Sequence, residues 1–470
     1  MSSTVSIGAM HLVRKVAAAL LLWPLVMTAQ EPIVITNVTV ISMADTQPKR
    51  AQTVIVRRGR IAQIGPAAAL PVPQRARVVD GTGRFLIPGL TDMHVHTSKT
   101  RASALGLYVA HGITTVRDQG SEHAEVLKWR REIRSGARIG PRMFIAGPYL
   151  ESRNNIERMR RDPPEARVEP FERARIGIGT PDDAKRVVDS LAKLELDHLK
   201  IRTVQDRATY IALGRAADAN RLRLTGHVVN PSLDALLEAG QDGVDHGFLL
   251  SLDSMLESRR KRFWREFAAR DIGVVPTLVV MQESVLRPAE YYEALIADTT
   301  GAVHPLRPYL SKFLILDWAE QVEEQNMLRR AAIKRIWPTV VNQVQEMRAA
   351  GVRVMAGSDV AVLNVFPGIS LHQELQLFTD SVGMSPAEAL ASATIKPAQW
   401  LGIAGSVGTI EVGKIADLVL LDADPLQDIE NTRRINTVVL RGRVFDRRQI
   451  GELMATIRAM PDIRVNDWLR

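Results

Sequence analysis

Apolar positions along this chain fall into two textures. From Pro32 to Pro88, short β-branched runs (IVITNVTVISM, TVIVRRGRIAQIG, ARVVDGTGRFLIPG) are broken by Gly and turn residues, and GTIEVGKIADLVLLD and INTVVLRGRVFD repeat that texture near the end. Runs of this kind predict a small antiparallel β unit, here split between the two ends of the chain. Between them, apolar strands alternate with helical patterns. The strand candidates are 90–96, 114–118, 142–147, 197–201, 223–228, 243–247, 273–278 and 353–359, with helices such as PDDAKRVVDSLAKLE (181–195) and PSLDALLEAG (231–240) between them. Eight such repeats predict an α/β fold, a (β/α)8 TIM barrel carrying a small β-sandwich domain built from both termini. The expected division is 31–88 with 405–455 for the composite β domain, 89–404 for the barrel, 1–30 as a signal peptide and 456–470 as a C-terminal tail. Two long insertions, about 148–180 and about 279–340, are expected on the face of the barrel where the strands end, as lids or substrate walls.

Composition sharpens this picture in three places. The 470 residues are 46% hydrophobic but only 5% aromatic, which suits a parallel core of Ala, Val, Leu and Ile. Cysteine is absent, so disulfides, thiolate metal sites and a Cys nucleophile are excluded, and any transition-metal site must use His and carboxylates. His11, Arg14 and Lys15 precede an apolar run, Val16 to Met27, followed by Thr28 and Ala29. That layout predicts a cleaved secretory signal and a periplasmic or secreted protein, with no stable membrane association afterwards. The net charge of +9 falls to +7 once residues 1–30 are gone, since they hold Arg14 and Lys15 and no acid. Even the basic stretch Glu151–Arg175 mixes Arg with Glu and Asp, so a solvated surface fits better than nucleic-acid binding.

Candidate chemistry gathers at strand ends. His94 and His96 are two apart in a strand, so both project to one face, which in a barrel is the interior. His227 ends the fifth strand and His246 the sixth. Asp359 ends the eighth, after Ala356-Gly357-Ser358, small residues that let the backbone come close. Any one of these could be a hydrogen-bonded core His or a capping Asp. Together, at four strand ends, they read as a metal site. Lys200 ends the fourth strand among Leu194, Leu196, Leu199 and Ile201. A lysine ammonium has only donors and cannot bind a metal. If the mouth of the barrel depresses its pKa, the neutral amine can add CO2 and become an anionic, carboxylate-like ligand. The competing reading is a lysine that reaches solvent or pairs with an acid. His111, His123, His198 and His372 are read as structural, with His198 facing away from Lys200.

GLTDMHVH, Lys200, GHVV, VDHG and AGSD, in that order, resemble the amidohydrolase superfamily, as do HGITTVRD and the C-terminal stretch MSPAEALASATIKPAQWLGIAGSVGTIEVGKIADLVLLDADPLQDI. The resemblance covers about 32–445. Lysine at strand four points to the binuclear, carboxylated-lysine members, and the chain most resembles the imidazolonepropionase-like and prolidase-like branch, which includes Xaa-Pro and Xaa-Arg dipeptidases. The resemblance implies two divalent ions of the zinc type, one held by His94, His96 and Asp359 and one by His227 and His246, with carboxylated Lys200 and a hydroxide bridging them. True imidazolonepropionases look mononuclear and lack this lysine, so Lys200 argues against that exact activity. The third-strand loop, GPYLESRNNIERM, also departs from the Gly-Gly-His segment of many relatives.

The implied reaction is hydrolysis of an amide, in a dipeptide or N-acyl amino acid, with Asp359 as general base and then acid. Arg202, two residues beyond Lys200, is a candidate for a substrate carboxylate, and His304 and Tyr292, with Tyr291 beside it, are candidates from the long seventh loop. The same centre could serve a lactone, carbamate, organophosphate or cyclic amide, because fold does not settle the bond. A secreted binding protein on a barrel scaffold is the reading from another class, and a full ligand set with Asp359 speaks against it. The expected partner is a small-molecule substrate; a homo-oligomer is left open.

Overall fold

All eight expected strands form. The computed structural model describes residues 31–45, 47–161, 173–227, 233–246, 257–285, 287–324 and 327–459. The expected signal peptide, most of the expected tail, and Val228, Val229 and Gly247 of the strand-end motifs lie outside these residues. The barrel strands are β1 (Leu90–Val95), β2 (Ile113–Asp118), β3 (Arg142–Ile145), β4 (His198–Ile201), β5 (Arg223–Gly226), β6 (Gly243–Asp245), β7 (Gly273–Val275) and β8 (Arg353–Val354). β1 to β3 pair in parallel, as do β4 to β8. Backbone hydrogen bonds close the ring. Asp197 N–H donates to Ile145 O at 3.0 Å between β3 and β4. Past β8, Met93 N–H donates to Ala356 O at 3.0 Å and Asp359 N–H to His94 O at 2.8 Å. A closed parallel ring wrapped by helices is buried on both faces, which is why β1, β2 and β4 have no exposed residue.

The helices follow their apolar spacing. Pro181–Leu191 buries Ala184, Val187, Val188 and Leu191, one stripe at helical period, and Thr180 caps it by accepting Asp183 N–H.

Of the lid expected at 148–180, residues 162–172 lie outside the described residues, and parts of its two flanks join the barrel wall. Tyr149–Ser152 pairs in parallel with β4, with Tyr149 opposite Lys200, and Arg175–Ile178 adds on its other side. The chain thus continues the barrel wall through residues that were expected above it. The apolar pairs Tyr149-Leu150 and Ile176/Ile178 are too short to separate from loop by period alone. The second insertion does build outward. Its helices Ala289–Ala297 and Lys312–Glu324 share a core with Ala361, Leu363 and Phe366, the segment just beyond Asp359.

The two chain ends meet in one eight-stranded sheet, ordered 443–446, 435–440, 418–421, 85–88, 33–40, 49–57 and 60–66, with 77–80 also on 33–40. It is antiparallel except where 33–40 meets 77–80 and 85–88. Ile35, Val54, Leu86, Leu418 and Val439 from across this sheet pack in a single core.

Candidate metal centre

β1 carries His94 and His96, and the closure at β8 brings Asp359 to them. His94 Nε2 lies 3.2 Å and His96 Nε2 3.1 Å from Asp359 Oδ1. One ligand atom from each of these three residues lies within 4.8 Å of the others. Two glycines permit the approach. A Cβ on Gly357 would sit 2.9 Å from His94 N, and one on Gly226, at φ +130, would sit 2.0 Å from Ile201 O just before His227. Across the mouth, His227 Nε2 and His246 Nε2 face each other at 3.2 Å. His246 Nδ1 contacts Thr277 Oγ1 at 3.1 Å and lies 3.6 Å from Asp359 Oδ2, so Asp359 touches both halves.

Lys200 points inward, and its ammonium donates to Asp245 Oδ2 at 2.7 Å. Arg117 Nη2 donates to Asp245 Oδ1, also at 2.7 Å. Lys200, Asp245 and Arg117 are all buried. His94 Nδ1 lies 3.4 Å from the same Asp245 oxygen.

The electrostatics follow from burial against charge. Burial would raise the Asp359 carboxyl, but the charge of His94 outweighs it and, with hydrogen bonds from His94 and His96, holds the carboxyl well below the usual range. Burial pushes His246 down to about 3 and His227 well below its ordinary value, the latter with help from the Lys200 charge. Both therefore offer neutral lone pairs near pH 7. Burial lowers Lys200 although Asp245 opposes it. His94 goes the other way: burial lowers it, yet Asp359 and Asp245 raise it above its usual value.

These residues fit a divalent cation. Both His94 ring nitrogens are buried without a hydrogen-bond partner, and each faces a carboxylate. A buried imidazole between two carboxylates calls for positive charge, which a metal ion supplies as well as a proton does. The set of imidazoles and carboxylates without sulfur suits zinc-like or manganese-like ions. His96 Nδ1 lies 3.1 Å from Gly120 O and 2.9 Å from the Tyr149 hydroxyl, contacts that fix its ring.

The expected site residues separate in space. His94, His96, Lys200, His227, His246 and Asp359 line one mouth. Arg202 stands at its rim, half-exposed, 5.8 Å from the Tyr149 ring centre and 4.0 Å from Glu151 Oε1. Tyr292 and His304 do not join them. Tyr292 is buried in the inserted core and donates its hydroxyl proton to Glu283 O at 2.8 Å. His304 stacks on Phe366 at 3.7 Å and accepts from Leu306 N–H. Tyr291 donates to Asn364 Oδ1 at 3.3 Å. His198 corrects an expectation: residues two apart share a face, so it is buried on the same side as Lys200, and its ring feels Arg117, Asp245 and Lys200.

Four participants were overlooked in the sequence. Arg117 and Asp245 were detectable as charges inside apolar strands. Asp92, two before His94, was detectable the same way. It accepts from His94 N–H, Ser358 N–H and Ser358 Oγ, joining β1 to the end of β8, and burial raises it to about 6. Tyr149 had no signal apart from its place in a short apolar run.

Comparison with known proteins places these observations. The model of the amidohydrolase family matches residues 85–445. The imidazolonepropionase of Rhizobium rhizogenes is 26% identical over 418 residues, covering 84% of this chain and 92% of its own. That of Pseudomonas putida strain GB-1 is 27% identical over 386 residues, covering 78% and 86%. Among solved structures, a putative prolidase from Bifidobacterium longum superposes with a TM-score of 0.68 at 24% identity, covering 92% of this chain and all of the other. A Xaa-Pro dipeptidase with bound methionine gives 0.67 at 20% identity, covering 88% of this chain and all of the other. At those identities the structures speak for the fold alone.

Proposed function

The chain belongs to the amidohydrolase family and is a hydrolase of carbon–nitrogen bonds; from that premise we propose that it is a metal-dependent enzyme, with two divalent ions, acting on a dipeptide or N-acyl amino acid. The observation that carries this reading is Asp359, held ionised within reach of His94 and His96 on one side and His246 on the other. In this proposal His94, His96 and Asp359 hold one ion, His227 and His246 the other, and Lys200 carboxylated on Nζ serves both. Bound ions of this kind supply Lewis acidity toward a carbonyl oxygen and a water acidic enough to attack near neutral pH. Asp359 takes the proton of the attacking water and returns it to the departing nitrogen. Arg202 binds the substrate carboxylate at the rim. Burial of the mouth excludes bulk water and strengthens each of these interactions.

A second reading has two observations in its favour. Lys200 is already satisfied as an ammonium by Asp245, and the curated relatives are called imidazolonepropionases. On that reading the centre holds a single ion, and the substrate is a cyclic amide.

Metal analysis of the purified protein, with intact mass, separates the two. The proposal expects two ions per chain and a mass gain of one CO2; one ion and an unmodified lysine favour the second reading. A panel of Xaa-Pro, Xaa-Arg, N-acyl amino acid, imidazolonepropionate, lactone, carbamate and organophosphate substrates then assigns the bond. Absence of both metal and hydrolysis would leave a binding protein. Export is proposed from residues 1–30, and N-terminal sequencing of protein recovered from the periplasm or medium tests it.

A further inference from the structure

The backbone beyond β8 is held in conformations that residues with a Cβ avoid. Asp359 has φ 54, Ala361 φ 110 and Asn364 φ 63. Such outliers persist only where their surroundings enforce them, and they collect at functional sites. Here the enforcement comes from the second insertion. Trp318 Nε1–H donates to Ala361 O at 3.2 Å, and Gln321 Nε2–H to the same oxygen at 3.4 Å. The Gln321 carbonyl accepts Leu363 N–H at 2.9 Å, so one side-chain amide grips the loop as a neighbouring strand would. Asp317 Oδ2 accepts from Gln321 Nε2 at 2.7 Å and orients that amide. Asn364 is tied in turn, donating to Glu283 Oε2 at 2.8 Å. Trp318 is fully buried, its ring edge-on to Phe366 at 5.1 Å. The clamp bears on the backbone two residues beyond Asp359, and its expected route to the chemistry is through that backbone.

We propose that Gln321 and Trp318 are positioning residues, clamping the Ala361 carbonyl from the inserted helix so that the left-handed turn at Asp359 keeps its carboxylate aimed between the two histidine pairs. This rests on the reading of Asp359 as the group that moves the proton. The insertion is then the brace of the proton-transferring acid.

The test uses the metal-loaded full chain, with whichever Xaa-Pro, Xaa-Arg or N-acyl amino acid the wild type hydrolyses. Gln321→Leu keeps the bulk and removes both contacts to the loop, with the bond to Asp317; Trp318→Phe keeps an aromatic ring and removes the N–H. A misplaced reacting group costs up to about 100-fold without a change in binding, so kcat is expected to fall about 10- to 100-fold with KM nearly constant. Metal content and the thermal midpoint should stay close to wild type. Adding Ala361→Gly to Gln321→Leu should restore part of kcat, because glycine adopts φ 110 without a clamp. Unchanged kcat in Gln321→Leu, with Asp359→Asn inactive, overturns the proposal. So does a loss of kcat that tracks lost metal or stability and is not restored by Ala361→Gly. If Gln321→Leu does not fold, Trp318→Phe decides on the same criteria. Full turnover by Asp359→Asn is a different failure, since it removes the general-base reading on which this one stands.

Discussion

Lys200 Nζ and Asp245 Oδ2 are 2.7 Å apart inside the barrel, and neither side chain reaches solvent. Asp245 is also bound by Arg117, so two cations share one carboxylate. Such a pair holds its lysine only while the amine keeps its proton. Removing the lysine side chain leaves Asp245 with Arg117, which spares the fold the cost of a bare buried charge. Lys200→Ala is therefore expected to fold, to lose one of the two proposed ions and to lose turnover. Short carboxylates such as acetate or propionate should restore part of the activity by standing in for the missing anion. Metal stoichiometry by mass spectrometry checks this, and a variant with full metal and full rate would remove Lys200 from the centre.

Asp359 contacts both halves of the mouth, yet His94, His96, His227 and His246 retain ligand atoms without its charge. Asp359→Asn is expected to keep metal and lower kcat by roughly 10²- to 10⁴-fold, the usual contribution of a positioned acid–base group. Steady-state kinetics beside metal analysis reads this directly, and full activity would sink the assignment.

Arg202 lies at the rim, half-exposed and beside Tyr149, whose hydroxyl contacts His96. Arg202→Ala is expected to raise KM for substrates with a free carboxylate by about 10-fold, the size of a lost charge-assisted hydrogen bond, and to leave kcat nearly unchanged. Amidated or esterified analogues should show no such loss. Equal loss on both substrate types would mean that Arg202 acts through Tyr149 instead.

Glu374 is buried and accepts Leu278 N–H at 3.0 Å and Val279 N–H at 2.8 Å, at the start of the helix after β7. Burial pushes its carboxyl up to about 8, against an ordinary 4.5. A raised folded pKa means that the native state binds more protons than the unfolded state between those values. Its stabilising contribution is complete below about pH 4.5 and is lost as the pH rises through about 8. Buried histidines, with lowered values, change stability in the opposite sense below their ordinary pKa. The comparison is therefore wild type against Glu374→Gln across pH 5 to 8. The wild type should lose thermal stability relative to the variant as pH rises, and parallel melting curves would refute the assignment.

The strand ends were readable because their signal is local. Alternation along β1 puts His94 and His96 on one face whatever the rest of the chain does, and the small residues before Asp359 announce a close approach. Tyr149–Ser152 was not readable as barrel wall, since four residues carry too little periodicity. Tyr292 and His304 misled because an aromatic or imidazole in a long loop reads the same whether it faces a substrate or the loop's own core. Only packing on Ala361 and Phe366 separates those cases.

The sequence alone determined which residue types end each strand, that no sulfur could join them, and that eight strand–helix units should close into a ring. These follow from residue chemistry and short-range period. Closure decided the rest: that Asp359 reaches His94 and His96 from the far end of the ring, that Lys200 meets Asp245 two strands away, and that the inserted helix grips Ala361. Those distances depend on register and on contacts between residues far apart in the chain, which no local pattern specifies.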